Sequence, residues 1–192
     1  MYAGMEESKK DEVVPEQQSG AQTNTEEQVT LAGEAEARAF FQTVRSRLLS
    51  VNDWHRLAGA LTADFVLTDE RGHEVDRPVQ EGDHFKIDIP GPGPVTGEGY
   101  DWVQVESVTE KQEGNREEIA VRVRPATNPT NDRSDIAHFF DADATSCFMA
   151  IREGNTVTAA VYGRNEHPNT HTETVTDKAR NAAVATGAIG GF

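Results

Sequence analysis

From Phe65 to Tyr162 the chain runs through six short segments in which apolar and polar residues tend to alternate, and that period makes it a sheet former. His84-Phe85-Lys86-Ile87-Asp88-Ile89 alternates without a break, with Phe85, Ile87 and Ile89 on one side and the charges on the other. Val103 and Val105 in Asp101–Thr109 repeat the pattern, as do Ile119, Val121 and Val123 in Glu117–Arg124. The remaining runs are Phe65-Val66-Leu67, Thr145–Ile151 and Thr156–Tyr162. Turn residues punctuate them: Gly72 after Thr68–Arg71, Gly114-Asn115, and Glu153-Gly154-Asn155. Pro90-Gly91-Pro92-Gly93-Pro94 opens a long loop to Tyr100, and a second loop runs from Pro125 to about Ala144.

Ahead of the strands the period changes. Ala37, Phe41, Val44, Leu48 and Val51 recur at three- and four-residue spacing, predicting a helix from Glu34. Asn52-Asp53 breaks it and can cap a short second helix through Trp54, Leu57 and Leu61. Gln28–Leu31 reads as a strand ended by Gly33. After about Thr172, Val175, Ala179, Ala183, Thr186 and Ile189 predict a closing helix. Helices bracketing a run of strands define an α+β fold: a curved antiparallel sheet of about six to seven strands, two N-terminal helices and a C-terminal helix.

The first 27 residues are rich in Glu, Gln, Ser, Lys and Thr, with Val13-Val14 as their one apolar cluster. Such a stretch cannot bury enough surface to offset its ordering entropy, so residues 1–27 read as a disordered acidic and polar tail and 28–192 as a single domain. The tail lowers the hydrophobic fraction of the 192 residues to 36%.

A formal charge of -15 with no basic run argues against nucleic acid and against anionic membrane surfaces. No apolar leader or membrane-length segment is visible, and the lone Cys147 cannot form an intrachain disulfide, so a cytoplasmic location is expected.

Candidate chemistry is sparse. His138, Asp141 and Asp143 fall within six positions but lack the glycine and terminal glutamate of a calcium loop. His167 and His171 stand four apart, yet Pro168-Asn169 between them disfavours a helix. Asn128, Asn131, Asp132 and Asp135 form an oxygen-rich loop that side-chain turns explain as well as an ion does. No nucleophile elbow, zinc signature or phosphate cradle is present, and nothing calls for a cofactor or a metal.

The order of elements resembles the START-like helix-grip superfamily. The residues that carry the likeness are Gln28-Val29-Thr30-Leu31 before a helix, Val51–Leu57 at the helix pair, Glu81-Gly82-Asp83-His84-Phe85 opening a strand, and the helix after Asn165. It covers roughly Gln28 to Phe192. In such folds the sheet wraps the C-terminal helix, and the resemblance implies a cavity for a hydrophobic small molecule. The terminal helix departs from the pattern by ending in Gly187-Ala188-Ile189-Gly190-Gly191-Phe192, which leaves open whether the chain is truncated.

Phe85, Trp102, Arg122, Met149, Tyr162 and Ala183 are the candidate ligand-binding residues, the arginine serving to meet a ligand carboxylate. Two other readings stand beside this one. The chain could be a non-catalytic interaction module with a protein partner, or a cyclase- or hydrolase-like cavity enzyme using His84, Asp101 or Tyr162.

Overall fold

In the computed structural model the described residues are 13–55, 63–91 and 93–170. Seven strands form one antiparallel sheet: β1 (Ala21–Thr30), β2 (Asp64–Thr68), β3 (His84–Asp88), β4 (Asp101–Glu113), β5 (Arg116–Pro125), β6 (Thr145–Glu153) and β7 (Thr156–Glu166). Their spatial order is β1-β7-β6-β5-β4-β3-β2, so every neighbour after the β1–β7 pair is also a sequence neighbour. The sheet does not close on itself. β1 and β2 are its two edges among the described residues.

The α+β class and the antiparallel sheet of seven strands stand. The helix count does not. Three helices were expected, and the described residues hold one, α1 (Glu34–Leu49), followed by a 3-10 turn at Val51–Asp53. The segments read as the second and third helices fall largely on residues 56–62 and 171–192, outside the described residues. Strand β1 also begins at Ala21, so residues 21–27 of the expected tail are paired with β7, Glu26 opposite Ala160 and Glu27 opposite Ala159. Tail composition misleads here because backbone pairing to β7 orders a polar edge strand that needs no apolar face of its own.

One face of the sheet, the inner face, packs against α1. Phe85, Ile87, Val103, Val105, Ile119, Val121, Val123, Ala150 and Val157 lie buried beneath Ala37, Phe41 and Leu49 of the helix. Trp54 sits at the helix exit among three rings, 5.3 Å from Phe65, 5.6 Å from Phe85 and 5.0 Å from Phe148 between centroids. Edge-on and tilted contacts of this kind favour the ring quadrupoles. Asn52 does more than break the helix. Its Nδ2 donates to the Val75 carbonyl and its Oδ1 accepts from the Leu67 amide, sealing part of the β2 edge.

The outer face carries a second, smaller apolar cluster of Ala120, Cys147, Met149, Ala160 and Tyr162, closed over by Val13 and Val14. A register shift between Val105 and Ser107 turns Glu106 onto this face, where it meets Arg122 at 2.9 Å and Arg124 at 2.6 Å. None of the described helices is long and apolar enough to cross a membrane.

Candidate functional site

Among the described residues, the expected ligand-binding residues are spread over both faces of the sheet. Phe85 is buried on the inner face, touching Trp54. Met149 and Tyr162 meet on the outer face, with Arg122 on the same side bound to Glu106. Trp102 pairs across from Lys86, opposite in orientation to Val103, and its Nε1 donates to the Gly97 carbonyl under the β3–β4 loop. Gly97 leaves no alternative there, since a Cβ would stand 1.8 Å from the Tyr100 oxygen. Ala183 lies outside the described residues.

The structure also offers a groove on the inner face beside α1, and of the expected residues that are described Met149 borders it. Val44 and Leu48 of the helix form one wall, with Trp54 at its end, and Phe148, Ala159 and Val161 of β6 and β7 form the floor. Its volume is about 340 Å³, within the range in which small molecules are held. Arg47 and, from β1, Thr25 and Glu27 supply its polar border. The floor is open: Val161 is 38% exposed. An exposed branched side chain, Val161, at the bottom of a groove is the unusual observation, because a sheet face next to a helix is ordinarily filled.

A second cleft, of about 310 Å³, lies between the 3-10 turn and β2 and is lined by Asn52, His55, Asp64, Phe65 and Glu74 among others. Its Asn52 already bonds the Val75 carbonyl and the Leu67 amide, and His55 approaches Asp64 at 3.5 Å. It offers a wet, exposed pair rather than an apolar seat.

The residues named for chemistry are separated by the sheet. His84 and Tyr162 share the outer face, but β4, β5 and β6 stand between their strands, a separation of about 19 Å at ordinary strand spacing. Asp101, opposite Ile87, has the inner-face orientation. His84 was expected to point into solvent and is instead only 7% exposed. Burial lowers its pKa, since the charged imidazolium is the form that loses water. Cys147 is buried among Met149, Ala160 and Tyr162, and burial pushes its thiol up to about 12, so it is no nucleophile in the closed fold.

The oxygen-rich loop turns its oxygens onto its own backbone. Asn128 Oδ1 accepts from the Thr130 amide and hydroxyl, and Asn131 Oδ1 accepts from the Arg133 amide. His138 Nδ1 accepts from the Phe140 amide while its ring stacks on Phe139 at 4.1 Å. Asp141 Oδ1 accepts from the Asp143 amide. His167 Nε2 lies 3.0 Å from Ser19 Oγ, and His171 is outside the described residues. Among the described residues no three His, Cys, Asp or Glu side chains converge to hold a metal ion.

No protein-family model matches this chain, and none of the curated proteins matches it.

Proposed function

We propose that this chain is a binding module for an apolar small molecule, seated in the groove between α1 and the β6-β7-β1 end of the sheet. The observation that carries the reading is the open floor, where Ala159 and Val161 are exposed beside Phe148, Trp54 and Leu48. An apolar ligand there would remove that surface from water, worth roughly 25 cal/mol for each Å² covered. The resemblance to the helix-grip superfamily implies the same class of ligand, but seats it against the expected C-terminal helix, which lies outside the described residues, so it supports the ligand class and not this groove. Arg47 stands where it could meet an anionic end of the ligand, a role the sequence reading gave to Arg122.

The test uses the full chain and the fluorescent probe 1-anilinonaphthalene-8-sulfonate, which is apolar with one anionic group. Saturable one-site binding is expected, abolished in A159W, which fills the floor, with the unfolding midpoint retained. Binding that survives A159W, or no saturable binding, would overturn the assignment.

One observation favours the second reading, a protein-interaction module. The outer edge of β1 is ten residues long, and β7 is its only strand partner among the described residues. An edge strand of that length, with no second strand beside it among the described residues, has the form of a template for adding a strand. The enzyme reading has no such support, since His84, Asp101 and Tyr162 share no pocket.

A further inference from the structure

Residues 13–20 lie across the outer face of the sheet, and the way they are held has a particular character. Val13 and Val14 are 4% and 5% exposed, inserted over Ala120 of β5, Cys147 and Met149 of β6, and Ala160 and Tyr162 of β7. Most of the polar contacts that the sheet makes with the segment reach its main chain. Asn165 Oδ1 accepts from the amides of Gln18 at 2.7 Å and Ser19 at 3.2 Å, and its Nδ2 donates to the Glu16 carbonyl at 3.4 Å. Arg122 Nη1 donates to the Val13 carbonyl at 3.4 Å. Asn165 sits at φ 55°, a left-handed conformation that asparagine tolerates better than most residues and that aims its amide at the segment. Two of the segment's own side chains also take part: Gln17 Oε1 accepts from the Asn165 main-chain amide at 2.9 Å, and Ser19 Oγ lies 3.0 Å from His167 Nε2.

Two apolar knobs in a pocket plus hydrogen bonds to main chain are how proteins recognise extended peptides. The segment joins the sheet through Gly20 at φ 74°, and β1 is irregular at once, its register shifting between Ala21 and Thr23. The strap is therefore attached through a turn and not as a continuation of the strand.

We propose that the outer face of β5-β6-β7 is a peptide-binding surface that residues 13–20 occupy in cis as a detachable strap, and that its ligand in trans is an extended segment with two adjacent branched apolar residues. The strap's own sequence, Asp11-Glu12-Val13-Val14-Pro15-Glu16, supplies the template for that ligand. This surface lies on the side of the sheet opposite the groove, so it does not depend on the function proposed above.

Cys147 is the only thiol of the chain and lies under the valines, which makes it a reporter of strap opening. The first measurement is its labelling by a disulfide reagent in the unmodified full chain at increasing, sub-denaturing urea. An opening smaller than global unfolding gives labelling that is nearly independent of urea at low concentration. The second compares V13A/V14A, for which labelling should rise roughly a hundredfold, about tenfold for each valine truncated. Added peptide spanning residues 11–20 should then restore protection saturably, and the same peptide carrying Asp at both valine positions should not.

Labelling that follows the urea dependence of global unfolding, in the unmodified chain and the variant alike, would overturn the proposal. So would an opened variant that the peptide fails to protect. Should V13A/V14A not fold, the urea dependence of the unmodified chain decides alone.

Discussion

Arg152 is the residue whose environment is most demanding. It is fully buried on β6, its Nε donates to Glu117 and its Nη1 donates to the Gly154 carbonyl at 2.8 Å, while Nη2 has no acceptor among the described residues. Arg38 at the start of α1 approaches the same carboxylate at 3.8 Å. Removing one member of a buried pair leaves the other charge without compensation, which costs about 3–5 kcal/mol. E117Q is expected to lose stability on that scale in urea unfolding, and the double replacement R152M/E117L to recover much of it. A double variant no better than E117Q would mean that the pair is held for its hydrogen bonds to the β6–β7 turn. His84 gives a second prediction at this scale. Its folded pKa is depressed by burial, so the unfolded chain binds the proton more readily. Its contribution is present above the unfolded value near 6.5 and is lost as pH falls through the lower folded one. H84Q should flatten the acid limb of a stability profile between those two values, and an unchanged limb would place the acid sensitivity elsewhere.

At the scale of elements, α1 is held by its apolar side. Phe41 is 3% exposed beneath the helix, whereas Arg45 reaches Glu110 of β4 in a two-pronged pair at 2.9 and 2.6 Å whose side chains are 31% and 50% exposed. The hydrogen bonds from Arg45 hold the Glu110 carboxyl below its ordinary range, yet water screens such a pair. F41A should cost about 3–5 kcal/mol, and R45A no more than about 1 kcal/mol, shrinking in salt. Urea unfolding at low and high ionic strength separates them, and equal losses would mean that the ion pair sets the helix position. The helix itself was legible, because five apolar residues from Ala37 to Val51 keep one face and Gly33 marks the start. The six strands after it were legible for the same reason, in their period of two. β1 was less so: only Gln28–Leu31 carries an apolar signal, and its first seven residues are ordered by β7, a contact far away in sequence. Asn52 shows the same limit, since a local reading sees a helix breaker and the Leu67 and Val75 backbone it seals comes later in the chain.

For the whole molecule, the question sequence could not answer was which face of the sheet α1 covers. Along β6, Cys147 and Met149 fall on one side and Phe148 and Ala150 on the other, and both sets are apolar. Period two separates the sets without saying which one borders the groove, so the expected ligand residues were drawn from both faces. The open β1 edge raises the last prediction. Its counterpart β2 is closed by Asn52 and by the Thr68–Glu74 bridge, whereas β1 has no second strand partner among the described residues and carries Glu26 and Glu27 near its centre. Two copies pairing antiparallel through β1 would bring those four carboxylates together, on chains of net charge -15 each. T25V/E27V removes two of the four carboxylates and adds apolar surface, so sedimentation velocity should show concentration-dependent association stronger than that of the unmodified chain. Added salt should strengthen association of the unmodified chain more than that of the variant, because screening acts on the charges the variant has lost. Equal behaviour of both chains at every ionic strength would mean that charge does not limit pairing of two copies through β1, and would turn attention to the strap at Gly20, which leaves the sheet where β1 begins.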